Sequence, residues 1–191
     1  MSSAVSFFYD YIDPASFLIE RQLAALEAEA AVAVKRLPFE LRPPPSPLID
    51  PLEEAWRERW RDAQGAAAAA GVEFASPRLV PWTRKAHELA LEARERDRFE
   101  PVHRALFEAY QLQGRDLGRV DVLLDIAVRN GMDLTRTKAV LDVDRHTAAL
   151  EQARAQGERL GVAGVPALLA GGRRLVGFHD RGTLLAFLRA R

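Results

Sequence analysis

Val5-Ser6-Phe7-Phe8-Tyr9-Asp10-Tyr11-Ile12-Asp13-Pro14-Ala15-Ser16 is the stretch whose reading decides the fold. Val5 to Tyr9 is an apolar run rich in β-branched and aromatic residues, the composition of a buried strand. Pro14 then sits where a helix can begin, because its missing N–H costs nothing at the first helical position. Phe17, Leu18, Leu23 and Leu26 carry helical spacing to about Glu29. Ala31 to Arg42 alternates as a second strand through Val32, Val34, Leu37, Phe39 and Leu41. Pro43-Pro44-Pro45-Ser46-Pro47 ends it, since proline blocks both ladder and helix. Strand, helix and strand in this order predict a right-handed crossover between parallel neighbours.

The other end of the chain supplies a matching half. Gly164-Val165-Pro166 leads into a short apolar strand, Ala167 to Ala170. Gly171-Gly172 makes a tight turn to a second short strand, Arg173 to Val176, and Asp180 to Leu188 closes the chain as a helix. Residues from roughly 50 to 160 read as helices. One opens at Asp50-Pro51, carries Trp56 and Trp60 and closes at Gly71; a loop from Ser76-Pro77 to Pro81-Trp82 follows. Then come Thr83–Arg98, Pro101–Leu112, Arg119–Asn130, Thr135–Leu141 and Asp144–Leu160. The order βαβ, helical block, ββα predicts an α/β, thioredoxin-like sheet interrupted by a large all-helical insertion. Residues 1–42 with 161–191 form the sheet domain in this reading, and 43–160 form the insertion.

Composition removes several function classes. The chain has 191 residues, 48% hydrophobic, with 27 basic and 27 acidic side chains, so no net charge draws it to nucleic acid or an anionic membrane. No cysteine is present, which excludes disulfides, thiolate nucleophiles and cysteine-based metal sites. His87, His103, His146 and His179 lack the spacing of a zinc site, and no phosphate-binding loop occurs. The first ten residues lack the basic and apolar regions of a secretory leader, and no run is long enough to cross a bilayer. The expectation is a soluble cytoplasmic protein with no metal, nucleic-acid or membrane partner.

Several motifs make a family resemblance specific. They are Phe8-Tyr9-Asp10 running into Asp13-Pro14-Ala15-Ser16, Ala86-His87-Glu88-Leu89-Ala90, Leu106-Phe107-Glu108-Ala109-Tyr110, Val122-Leu123 to Gly131, and Gly161-Val162-Ala163-Gly164-Val165-Pro166-Ala167. In this order the chain resembles the DsbA-like branch of the thioredoxin superfamily, near the FrnE-type proteins. That branch also holds 2-hydroxychromene-2-carboxylate isomerases and kappa-class glutathione transferases. The resemblance implies that Asp13-Pro14-Ala15-Ser16 stands where redox members carry Cys-Pro-x-Cys and the isomerase and kappa-class members carry Ser-Pro-x-Ser. It implies a cis Val165-Pro166 bond facing the first helix. It also makes Asp180-Arg181 similar to an Asp-Arg pair that helps hold glutathione.

Asp13 and Ser16 are therefore the candidate catalytic residues, each with a plainer reading beside it. Asp13 reads as a buried catalytic carboxylate, as an acceptor for a neutral thiol, or as a helix cap worth about 1 kcal/mol. An anion at position 13 disfavours a thiolate next to it, the opposite of what glutathione transfer needs. Ser16 can donate to an incoming sulfur or oxygen or to Asp13, and is equally an ordinary first-turn serine. The N–H and C=O of Val165, beside Pro166, can pair with an extended peptide or with the cysteinyl unit of glutathione; a proline there also serves a tight turn. His179, Asp180 and Arg181 complete the candidate substrate-binding set. The leading reading is a DsbA-family, oxidoreductase-like protein that cannot exchange disulfides through its own thiols and binds a small thiol or an extended peptide beside Pro166. A glutathione-dependent isomerase or transferase and a non-catalytic binding protein are the alternatives. Glutathione is the one cofactor implied, and the oligomeric state stays open, a homodimer included.

Overall fold

In the computed structural model, residues 5–75 and 78–190 are described. The readings placed on the first four residues and on Ser76-Pro77 lie outside them. Strand β1 (Val5–Tyr9) is the inner parallel partner of β2 (Val34–Pro38) and pairs antiparallel with β3 (Ala167–Ala170), which pairs in turn with β4 (Arg173–Val176). The sheet order is β2-β1-β3-β4, with Phe8 in register with Leu37 on one side and Ala167 on the other. Helix α1 (Pro14–Ala30) crosses from β1 to β2, and α8 (Arg181–Arg189) follows β4. Between the two halves lie α2 (Glu54–Ala69), α3 (Arg84–Glu95), α4 (Phe99–Gln111), α5 (Val120–Arg129), α6 (Leu134–Asp142) and α7 (Thr147–Arg159).

Strand alternation divides the core. Successive side chains point to opposite faces, so Phe7 and Tyr9 join the large cluster that continues into α1, α3 and α4. Phe8 points the other way, into a smaller cluster with Leu37, Phe39, Val162, Val165 and Ala167. Helix α7 covers that second face through Gly157. A Cβ at this position would stand 2.9 Å from Phe8 Cε1 and 3.2 Å from Phe39 Cδ2. Trp56 and Trp60 pack edge-on to each other, Trp60 packs on Phe74 and Phe74 on Phe17 of α1, so this pair joins the large cluster.

Several element boundaries differ from the sequence reading, and the second strand ends at Pro38 rather than Arg42. The second strand starts at Val34 rather than Ala31, because Ala31 takes the left-handed conformation (φ 52°) that ends α1. Asp97 (φ 56°) separates α3 from α4, and Asp144 (φ 52°) delays α7 to Thr147. Each is an aspartate or alanine held at positive φ, where hydrophobic periodicity gives no warning.

Candidate functional site

The site is assembled at the carboxyl end of β1, where the chain turns into α1. Asp13 caps the helix in extended conformation (φ −83°, ψ 115°), with Pro14 at the first helical position. Its Oδ2 accepts from Ser16 N–H at 2.7 Å and from Ser16 Oγ at 2.6 Å. Its Oδ1 accepts from Arg59 Nη1 at 2.7 Å, and the same nitrogen donates to the carbonyl of Val165 at 2.8 Å. Asp13 and Ser16 are fully buried, while the Arg59 side chain keeps 33% of its surface exposed. Arg59 comes from α2 in the insertion and ties together the Asp13 turn and the turn before Pro166, whose bond to Val165 is cis.

Behind this turn stands a second buried carboxylate. Asp10 accepts from Leu41 N–H at 2.7 Å and shares a 3.2 Å hydrogen bond with His87 Nε2, and its carbonyl accepts from Asp13 N–H at 3.1 Å. Asp10 and His87 are both fully buried. The turn is thus fixed from the segment after β2 and from α3 at once.

Burial raises the pKa of Asp13, against the opposing pull of Arg59 and of the Ser16 donors. The chemical consequence concerns the helix start. Its orphan N–H, the Ser16 hydroxyl and one guanidinium nitrogen form a ready anion site, and the Asp13 carboxylate already fills it. A thiolate brought to this point would meet an acceptor where it needs a donor.

The other sequence-derived candidates fall elsewhere. Gly177 N–H donates to the Pro166 carbonyl at 2.9 Å, so the segment leading to His179 starts beside the proline. His179 Nε2–H donates to Val176 O at 3.0 Å. Asp180 caps α8 through Thr183 N–H at 2.8 Å, and the Thr183 and Gly182 N–H groups hold its pKa low. Arg181 is turned to Glu29 near the far end of α1, a helix of 17 residues or about 26 Å. Among the described residues no hydrogen bond joins His179, Asp180 or Arg181 to the Asp13–Arg59–Val165 group. Arg59 is the site residue that sequence reasoning missed. It lies 46 positions from Asp13 among the similar arginines Arg57 and Arg61, with no local motif to mark it.

One group among the described residues has the donor atoms of a metal site, namely Glu92, Glu95 and His146. Arg96, Arg136 and Arg145 surround the buried Glu92 carboxylate. Although burial pulls its pKa up, His146 and Arg96 hold it low. Three guanidinium groups already neutralise these acids, so the cluster reads as a structural charge network. No described helix is long and apolar enough to cross a membrane.

With this geometry established, the chain's relatives can be placed. Residues 4–189 match the DSBA-like thioredoxin domain, and the chain belongs to that family. It is 27% identical over 176 residues to the uncharacterized protein YwbO of Bacillus subtilis, covering 90% of this chain and 88% of that one. A probable DsbA oxidoreductase from Streptomyces coelicolor superposes with a TM-score of 0.78 at 22% identity, over 97% of this chain and 88% of its own. A 2-hydroxychromene-2-carboxylate isomerase superposes with a TM-score of 0.76 at 15% identity, over 91% and 88%. At these identities the structural likenesses speak to the fold, and the α/β thioredoxin-like architecture is the one they share.

Proposed function

We propose that this DsbA-like protein binds a small thiol such as glutathione, or an extended peptide, non-covalently between the Asp13–Ser16 turn and the Val165–Pro166 turn. The observation that carries the proposal is the Arg59 bridge. One guanidinium nitrogen spans Asp13 and the Val165 carbonyl, the acceptor that a strand-like ligand would pair with. The side chain holding that acceptor is long and one-third exposed, so a ligand N–H can displace it. Val165 N–H makes no hydrogen bond among the described residues, which leaves a backbone donor beside the acceptor.

The Asp13 carboxylate sets the chemistry of what is bound. A carboxylate accepts from S–H and repels S⁻, so a thiol held here stays protonated and weakly nucleophilic. Mixed-disulfide chemistry through the protein's own sulfur is absent because the chain has no cysteine. Binding without transfer follows from both facts. Titration calorimetry with glutathione and with a short unstructured peptide tests the proposal. Saturable heat from either ligand is the expected result, reduced in Ser16→Val and retained or strengthened in Arg59→Ala, which frees the Val165 carbonyl; silence from both ligands refutes it.

A second reading is favoured by the raised pKa of Asp13. A carboxyl lifted by burial is suited to pass a proton, so a glutathione-dependent isomerase or transferase would use Asp13 as its acid–base group. The two readings separate on turnover. Isomerisation of a 2-hydroxychromene-2-carboxylate in the presence of glutathione, abolished in Asp13→Asn, selects the enzyme.

A further inference from the structure

Away from the Asp13 site a cavity of about 550 Å³ opens between the segment after β2 and the starts of α3, α5 and α7. Its size falls within the usual range for small-molecule pockets, about 300–1,000 Å³. Two of its walls are fixed by an isolated antiparallel bridge between Ile49 and Val80. Alternation across that bridge buries Ile49 and Val80 and turns Leu48 and Leu79 outward, at 42% exposure each. Trp82 stands beside them, 40% exposed, although a tryptophan of this size is usually well covered. Its indole N–H is committed to Ser46 O at 3.0 Å, which pins the ring edge. Pro44 and Pro81 add rigid apolar surface.

The charged groups lining this cavity decide what it can take. Lys85 donates to Glu88, Asp144 and the Leu141 carbonyl, so its three N–H groups are used. Arg84 is bound to Glu40 and lies 3.6 Å from Glu151. Thr147 Oγ donates to Glu88. Arg119 donates through Nε and Nη2 to Asp121. The lining cations are therefore paired and offer an anion little. Asp116 differs. Its Oδ1 accepts from Gly118 N–H at 2.8 Å, and its Oδ2 accepts from no donor among the described residues.

From this arrangement we infer that the cavity is a second binding site, for an uncharged flat aromatic molecule carrying one hydrogen-bond donor, such as a phenol. The ring lies against Trp82 between Leu48, Leu79 and the prolines, and the donor faces Asp116 Oδ2. The recess is concave and partly open to solvent, which admits a small ring more readily than the flat face of a second copy. This site shares no lining residue with the Asp13–Arg59–Val165 group, so it stands whether or not that group binds a thiol.

The probes are 2-naphthol and its anionic counterpart 2-naphthoate, followed by calorimetry and by the indole N–H resonance of Trp82. Saturable binding of 2-naphthol with a shift of that resonance is expected, at least about tenfold tighter than 2-naphthoate. Trp82→Ala and Leu48→Glu each weaken it by about tenfold through the loss of ring contact and apolar wall. Asp116→Asn, which keeps an acceptor, retains it; Arg59→Met leaves it unchanged. Both Trp82 and Leu48 are solvent-exposed, and unchanged melting temperatures confirm folded variants. Absence of saturable 2-naphthol binding, equal or tighter binding of 2-naphthoate, or survival of binding in both Trp82→Ala and Leu48→Glu overturns the inference. So does a concentration-dependent dimer that competes with 2-naphthol, since the patch would then be a self-interface.

Discussion

Replacing Arg59 with methionine tests the site most directly, because one side chain supplies both bonds that join the two turns. Methionine keeps an unbranched apolar stem on α2 and removes the donors. Two losses follow at neutral pH. The Arg59–Asp13 pair is charge-assisted at 2.7 Å, but the arginine is one-third exposed, so its worth is near the low end of the range, about 1.5 kcal/mol. The bond to the Val165 carbonyl adds about 1 kcal/mol. Together they predict a loss of about 2.5 kcal/mol, or roughly 5–10 °C in Tm for a chain of this size. The pH dependence is the sharper part. Burial already places the folded-state pKa of Asp13 above its unfolded value, and losing Arg59 lifts it further. In the variant the burial cost of the charged carboxylate is fully felt above that raised pKa. It is relieved as pH falls through it and the group protonates. Urea unfolding at pH 7 and at pH 4 should therefore give a smaller difference between wild type and variant at pH 4, approaching the roughly 1 kcal/mol of the Val165 bond alone. A difference below about 0.5 kcal/mol at pH 7, or one that does not change with pH, would falsify the view that Arg59 neutralises a buried carboxylate.

Three further outcomes are expected. The double variant Asp13→Cys with Ser16→Cys should form a disulfide, since first-turn positions three apart meet the required Cα separation of about 4.4–6.8 Å, and Arg59 should lower the pKa of the thiol at 13. Insulin reduction with dithiothreitol should then exceed the reductant-only rate, which wild type should not; two free thiols in an oxidising glutathione buffer would refute this geometry. Gly157→Ala pushes a methyl against Phe8 and Phe39, both buried rings with nowhere to move, and should destabilise by about 1–3 kcal/mol in a denaturant titration; a neutral result would mean that α7 shifts freely on the sheet. His87→Leu strands the buried Asp10 carboxylate, and should cost about 2–3 kcal/mol, with His87→Gln restoring part of it; equal losses in both would show that packing, not the hydrogen bond, is what His87 provides.

What the sequence disclosed follows from how local each signal is. Val5–Tyr9 and the Pro14 helix start rest on composition within a dozen residues, and both stand in the structure. Ala167–Ala170, Arg173–Val176 and the Gly171-Gly172 turn between them also match. The second strand was legible in existence and not in extent, because alternation continues through residues that the backbone uses to leave α1. Asp13 and Ser16 are joined by a contact three positions long, at the turn that the family resemblance marks in the sequence. Arg59 reaches Asp13 only through the packing of α2 over the turn, and nothing in an arginine-rich helix distinguishes it beforehand. The Asp-Arg motif at 180–181 shows the reverse case: it is conspicuous in sequence, yet it caps one helix and pairs with Glu29.

The interrupted sheet has a consequence for the chain during synthesis. Strand β1 carries Phe7, Phe8 and Tyr9, all buried between its two neighbours and the layers above and below. Its antiparallel neighbour β3 is encoded on the far side of the whole helical insertion. At ribosomal speeds the intervening stretch takes roughly 10–30 s to emerge. Throughout that interval the first strand has β2 on one edge and an open, aromatic edge on the other. Such an edge is a template for pairing with other nascent chains. The insertion helices emerge within that window, and in the finished fold α3 and α4 pack on the Phe7 and Tyr9 face. The helices that cover one face of the sheet, Arg59's helix among their neighbours, are thus encoded before the strand that closes its open edge.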